Sequence, residues 1–147
     1  MTDILSFEAI QLGAAIALKE DAIQRAGELL VKAGCVIPEY IDSMLEREES
    51  MSTYIGNGVA IPHGEFKNLG LVNRTGISVL QVPEGIEWED GERAYLVVGI
   101  AAVGDDHLQV LENLAMAIED PETADFLAQT EDPQVILEKL NLSISGD

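Results

Sequence analysis

At 147 residues the chain is long enough for one domain with a sizeable core and too short for two. Its 27 acidic and 8 basic residues give a formal charge of −19, which excludes nucleic acid or an anionic membrane surface as partner. The 47% hydrophobic content excludes a disordered acidic tail.

The opening Met1-Thr2-Asp3-Ile4-Leu5 carries acid where a secretory leader needs base. A short edge strand is expected at Phe7–Leu12. From Lys19 the pattern is helical, with Ala22, Ile23, Ala26, Leu29, Leu30 and Ala33 on one stripe. Glu20 and Asp21 suit the positive end of the helix dipole. Leu18 stands where a capping side chain would help, and Gly34 supplies the stop. Cys35, the only cysteine, rules out an internal disulfide, fits a reducing compartment and is read as a small buried hydrophobe. Pro38 and Glu39 open a second helix whose buried side is Tyr40, Ile41, Met44 and Leu45.

Gly58–Ile61 reads as a short strand, and Thr75–Val82 as a longer one. Pro83 to Gly91 is expected to be a loop, with Asp90-Gly91 as a turn. Ala94–Val103 is apolar on both faces, as a central covered strand should be. It is also about half the length that spans a bilayer. Leu108, Leu111, Leu114, Ala115 and Ile118 form a further helical stripe. Asp120-Pro121 and Asp132-Pro133 each set a capping carboxylate before a proline, opening two short helices lined by Ala124 and Leu127, and by Ile136 and Leu140. These elements give a single α/β domain over residues 1–147, a mixed β-sheet flanked by α-helices, cytoplasmic and with no direct membrane insertion.

Two histidines carry the chemistry. His63 ends Gly56-Asn57-Gly58-Val59-Ala60-Ile61-Pro62-His63-Gly64, held between a stiff proline and a small glycine at a strand exit. That setting suits an exposed ring approached by something large. His107 sits where the second apolar run ends and a helix starts. A neutral imidazole attacks phosphorus, and its ordinary pKa near 6.5 leaves much of it neutral at cytoplasmic pH. The product carries about two negative charges, so cations matter: Lys19, Arg25, Lys32, Arg47, Lys67, Arg74, Arg93 and Lys139. Arg47 ends a helix shortly before His63 and has the guanidinium geometry that phosphate oxygens prefer. His107 could donate to the phosphate or orient the first ring. Backbone N–H groups at Gly64 or after Asp106 could add more. No nucleotide-binding glycine loop is present, and no cofactor is called for.

Plainer roles stand beside these. His63 can be structural, His107 can cap its helix with Asp105 and Asp106, and Arg47 can pair with Glu46, Glu48 or Glu49 at the surface. His63 and His107 with Glu65 or Asp106 lack zinc-type spacing, so no metal is expected.

Taken together, Thr53-Tyr54-Ile55-Gly56-Asn57-Gly58-Val59-Ala60-Ile61-Pro62-His63-Gly64 resembles the active-site signature of enzyme IIA components of the bacterial sugar phosphotransferase system, in the mannitol/fructose class. The likeness extends through Met44-Leu45-Glu46-Arg47-Glu48, Val97-Val98-Gly99-Ile100-Ala101-Ala102 and His107-Leu108-Gln109-Val110-Leu111. It implies the same mixed sheet, with His63 as the phosphorylated residue, through Nε2. It also implies His107 as a supporting histidine and Arg47 as the phosphate-stabilising arginine. The implied route runs from the phosphocarrier HPr through His63 to a cysteine of a IIB domain or IICB permease. Cys35 lies in no IIB-like loop, so the acceptor is expected on another chain and this one to be a stand-alone IIA. Mannitol is the expected sugar branch. A nitrogen-related regulatory IIA, acting by binding other proteins, and a plain binding module are the alternatives. Asn57, where many members carry an acid, and Leu18 are the departures. Ile61, Leu69 and Leu71 are candidates for a partner-docking surface.

Overall fold

The structure is a computed structural model describing residues 4–65, 70–103 and 106–144, with the side chains of residues 106–108 and 142–144 outside the description. Its centre is a five-stranded sheet: β1 (Ile10–Gln11), β2 (Tyr54–Gly56), β3 (Val59–Ala60), β4 (Gly76–Glu89) and β5 (Glu92–Ala101). The spatial order is β1-β4-β5-β3-β2. β1 and β4 run parallel, as do β3 and β5, while β4/β5 and β2/β3 are antiparallel. The mixed sheet is as expected.

Alternation along the two long strands sends side chains to two separate cores. On one face α1 (Lys19–Lys32) and α2 (Tyr40–Ser50) pack over Leu80, Val82, Ile86, Trp88, Val97 and Ala101. On the other, α3 (Asp106–Ala117), α4 (Pro121–Gln129) and α5 (Pro133–Ile144) cover Ile77, Val79, Leu96, Val98 and Ile100. β5 is therefore buried on both sides, which is why its sequence reads as an unbroken apolar run.

Helix ends follow local chemistry. Leu18 makes no side-chain cap for α1. At the other end, Gly34 N–H reaches Val31 O at 2.9 Å and Cys35 N–H reaches Leu30 O at 3.0 Å, the paired bonds of a Schellman stop. α2 begins at Tyr40, just after the Pro38-Glu39 turn. Asp132 caps α5, its Oδ1 accepting Gln134 N–H at 3.0 Å. Asp120 does not cap α4; its carboxylate instead accepts the Thr123 hydroxyl at 3.0 Å. Ala115 is exposed; the packed face of α3 carries Val110 and Leu114 with Leu111 partly buried, Ile118 is buried just past the helix end, and the Leu108 side chain lies outside the description.

Two strand expectations need correction. The segment from Phe7 holds a short 3₁₀ turn at Phe7–Ala9, and only Ile10–Gln11 is strand, although it does lie at a sheet edge. Residues 83–89 are not a loop: β4 runs through them to Glu89. Pro83 and Gly85 interrupt the ladder, and its register shifts between Gln81 and Ile86. Beyond that bulge Ile86 and Trp88 are buried while Glu87 and Glu89 face out. Asp90-Gly91 forms the expected turn to β5. β2 was not anticipated. It pairs with β3 through Asn57-Gly58, both at positive φ, the sequence that tight hairpins prefer. Asn57 also donates to the carbonyls of Ile118 and Glu119, at 2.9 and 3.0 Å. An acidic residue at position 57 could not make those bonds, because a carboxylate only accepts.

α1 approaches β5 and β4 closely. Ser78 Oγ donates to Ala26 O at 2.8 Å, and a Cβ on Gly99 would meet Ser78 Oγ at 2.5 Å and the Cβ and O of Ala26 at 3.3 Å. Gly99→Ala is expected to push α1 off the sheet and to cost about 1–3 kcal/mol. Urea denaturation measures this; a midpoint unchanged from the parent protein would show that the contact is slack.

Candidate functional site

His63 lies just past β3, bridged in parallel register to Ile100 of β5. Pro62 O accepts Ile100 N–H at 3.0 Å. The imidazole is only 7% exposed, so it is not the open ring that the sequence suggests. The strand pairing that places it draws it into the sheet's end. Its Nδ1 lies 2.8 Å from Ile61 O. A carbonyl can only accept, so the proton sits on Nδ1 and the neutral ring carries its lone pair on Nε2.

Three residues on one face of α2, at helical spacing, line this segment. Tyr40 is the first. Its hydroxyl accepts Gly64 N–H at 2.8 Å and donates to Ile100 O at 2.8 Å, joining β5 to the chain beside His63. Burial pushes the Tyr40 pKa up to about 12, so it remains a donor at any physiological pH. Ser43 Oγ accepts Glu65 N–H at 2.9 Å. Gly64 is small of necessity: a Cβ there would lie 2.5 Å from the Tyr40 ring and 2.9 Å from Ser43 Oγ.

Arg47 is the third. It is half-buried and donates to Met51 O at 2.8 Å. It forms no ion pair with Glu46, Glu48 or Glu49; the two described ion pairs are Lys19–Glu48 and Arg25–Glu28. Its charge reaches His63: burial chiefly holds the imidazole pKa below its ordinary 6.5, the Ile61 hydrogen bond opposes that, and the Arg47 guanidinium adds a smaller lowering effect. Other cations are engaged elsewhere: Arg25 with Glu28 and Gln11, Arg74 with Ala33 O, Arg93 with Glu84 O and Gly85 O. Lys19 pairs with the buried Glu48.

His107 belongs to the first turn of α3, and its side chain lies outside the described residues, as do Asp105, Lys67 and Leu69. Ile61 is buried among the α3–α5 core residues and Leu71 packs partly buried against the other core. Ile61 is therefore not a free docking surface, and Leu71 is only partly exposed. Among the described residues no group of three His, Cys, Asp or Glu is placed to hold a metal, and no helix is long and apolar enough to cross a membrane. The sequence reading missed Tyr40 and Ser43 as parts of the site. Their spacing with Arg47 along α2, in successive steps of three and four residues, was the available signal.

His63 is thus a buried imidazole at a strand exit, with Nδ1 held by a backbone carbonyl and the charge of Arg47 bearing on it. Residues 3–142 match the family model for the phosphoenolpyruvate-dependent sugar phosphotransferase system, EIIA 2. The chain belongs to that family.

Among its relatives, the mannitol-specific phosphotransferase enzyme IIA component of Enterococcus faecalis is 41% identical over 138 residues, covering 92% of this chain and 95% of that protein. A multiphosphoryl transfer protein of Xanthomonas campestris pv. campestris is 47% identical over 133 residues, 90% of this chain but 16% of its own length. The chain spans between 16% and 22% of the first curated relatives it matches. The solved complex of enzyme IIAMTL and phosphorylated enzyme IIBMTL from Escherichia coli contains a chain with a TM-score of 0.86 and 41% identity, covering 95% of this chain and 96% of that one.

The lowered His63 pKa has a signed consequence. Between the folded value and the unfolded value near 6.5, the unfolded chain binds the proton and the folded chain does not. Stability therefore falls as pH drops through 6.5 and levels off below the folded pKa. His63→Gln should flatten that part of the stability–pH curve measured by urea titration. A curve identical to that of the parent would show that the ring titrates normally.

Proposed function

We propose that the protein is a phosphoryl carrier in which His63 takes a phosphoryl group from phospho-HPr and passes it to the cysteine of a IIB domain or IICB permease, in mannitol uptake. The observation that carries this is the 2.8 Å contact of Nδ1 with Ile61 O, which leaves Nε2 as the attacking nitrogen. In each transfer Nε2 forms one N–P bond as the donor's bond to phosphorus breaks, and the reverse occurs on delivery. On delivery the acceptor cysteine reacts as its thiolate, its S–P bond forming as the N–P bond breaks and the electron pair returns to Nε2, so catalysis is largely alignment and charge stabilisation of a loose transition state.

Arg47 is the residue we assign to the phosphate oxygens. A guanidinium offers a planar fork of donors that matches them, and its charge already bears on the ring. His107 is assigned the supporting role that the family pattern gives it. The small exposure of the imidazole confines attack to a narrow line, which favours in-line geometry. A mannitol branch rests on the likeness to the mannitol-specific IIA of Enterococcus faecalis, and a IIB partner on the Escherichia coli complex. With that role the protein would work in the cytoplasm.

Incubation with phosphoenolpyruvate, enzyme I and HPr should yield one acid-labile phosphate per chain, absent in His63→Ala. An isolated mannitol IIB should then remove it. Arg47→Ala should slow both steps about tenfold or more, the size expected when a charged hydrogen bond to the transferred group is lost. A parent protein left unlabelled would overturn the carrier reading. Labelling without delivery to IIB would point instead to the regulatory alternative.

A further inference from the structure

We propose that Glu48 is a positioning residue for the phosphoryl chemistry: its buried carboxylate fixes the exit of α2, from which both the Ile61 carbonyl that holds His63 and the Arg47 guanidinium are set. The inference rests on the carrier reading given above.

Glu48 is 7% exposed, and a carboxylate taken out of water persists only if fully paired. It is. Thr53 N–H donates to both oxygens, at 3.1 and 3.3 Å, and the Thr53 hydroxyl donates to Oε1. Trp88 Nε1–H donates to Oε2 at 3.1 Å. The Lys19 ammonium lies 3.6 Å from the same oxygen. Lys19 in turn donates to Trp88 O at 3.1 Å and stands 5.8 Å from the centre of the indole. One anion thus ties the start of α1, the last turns of α2, β4 and the segment that follows α2.

Two hydrogen bonds carry that anchor to the ring. Thr53 O accepts Ile61 N–H at 2.9 Å, and Ile61 O then receives His63 Nδ1–H at 2.8 Å. Arg47 hangs on the same exit, through Met51 O at 2.8 Å. A displacement of residues 51–53 would therefore move the carbonyl that selects the tautomer and the cation that meets the phosphate at once. Misplacement by about 1 Å can cost 10²-fold in rate. Glu48 touches neither group, so it acts only through them.

The test uses the full chain carrying Glu48→Gln, which keeps the size but sets an amide NH₂ among donors. ¹⁵N NMR of His63 reads the tautomer, and phosphoryl uptake from phospho-HPr reads the rate. The expected result is loss of the single Nδ1–H tautomer in favour of a mixture, with uptake slowed about tenfold or more. Thr53→Val removes only the hydroxyl donor and should move both readouts the same way, by a smaller factor. Should Glu48→Gln not fold, Thr53→Val decides on the same two readouts. A folded variant with the parent's tautomer overturns the proposal, whether or not its rate falls. A tautomer shift in a protein whose parent form takes no phosphate leaves the positioning intact and removes the carrier reading alone.

Discussion

The hydrogen bond from His63 Nδ1 to Ile61 O fixes which nitrogen of the ring can act, and the surrounding fold is arranged to keep that carbonyl in place. Ile61 follows β3 directly and its own N–H is held by Thr53 O. Pro62 contributes no N–H to compete for acceptors, and its carbonyl is taken by Ile100. On the far side Tyr40 stands between Gly64 and Ile100. The imidazole is thus gripped through backbone groups before and after it, each belonging to a paired strand or to a hydroxyl from α2.

In the proposed carrier role, a chain of charge −19 would have to host chemistry that adds negative charge. Most of the acid is exposed, on helices, turns and the β4–β5 hairpin, where water and salt screen it. Near His63 the local balance differs. Tyr40 and Ser43 engage the neighbouring amides, the Glu48 carboxylate is neutralised inside its own cluster, and the Arg47 guanidinium is near enough to depress the imidazole pKa. The same burial and positive charge that keep the ring neutral also keep it nucleophilic near neutral pH. In the proposed transfer the added anion would meet a guanidinium with no described carboxylate partner.

Much of this was legible in the residues themselves. The α1 stripe, the doubly apolar β5 and the Pro62-His63-Gly64 exit follow from periodicity and from backbone stereochemistry. The C-terminal half of β4 did not, because Pro83 and Gly85 are ordinarily loop residues and a bulge absorbs them here. Ile86 and Trp88, alternating with Glu87 and Glu89, were the overlooked sign. β2 was missed although Asn57-Gly58 announces a tight hairpin. The burial of His63 was invisible for a different reason. It depends on pairing with Ile100, thirty-seven residues away, and no local pattern encodes such a partner. Glu48 was equally opaque: beside Arg47 in sequence it looks like a surface acid, and only Trp88 and Lys19, brought in by two other elements, make it a buried one.

The central claim is that the backbone selects Nε2 of His63 as the phosphoryl acceptor. The most direct measurement is heteronuclear NMR of the phosphorylated, ¹⁵N-labelled protein, which distinguishes the two ring nitrogens by their coupling to phosphorus. The account predicts a phosphorus–nitrogen coupling at Nε2 of His63, with Nδ1 still protonated and bonded to Ile61. Phosphate on Nδ1, or on any other residue, would contradict it.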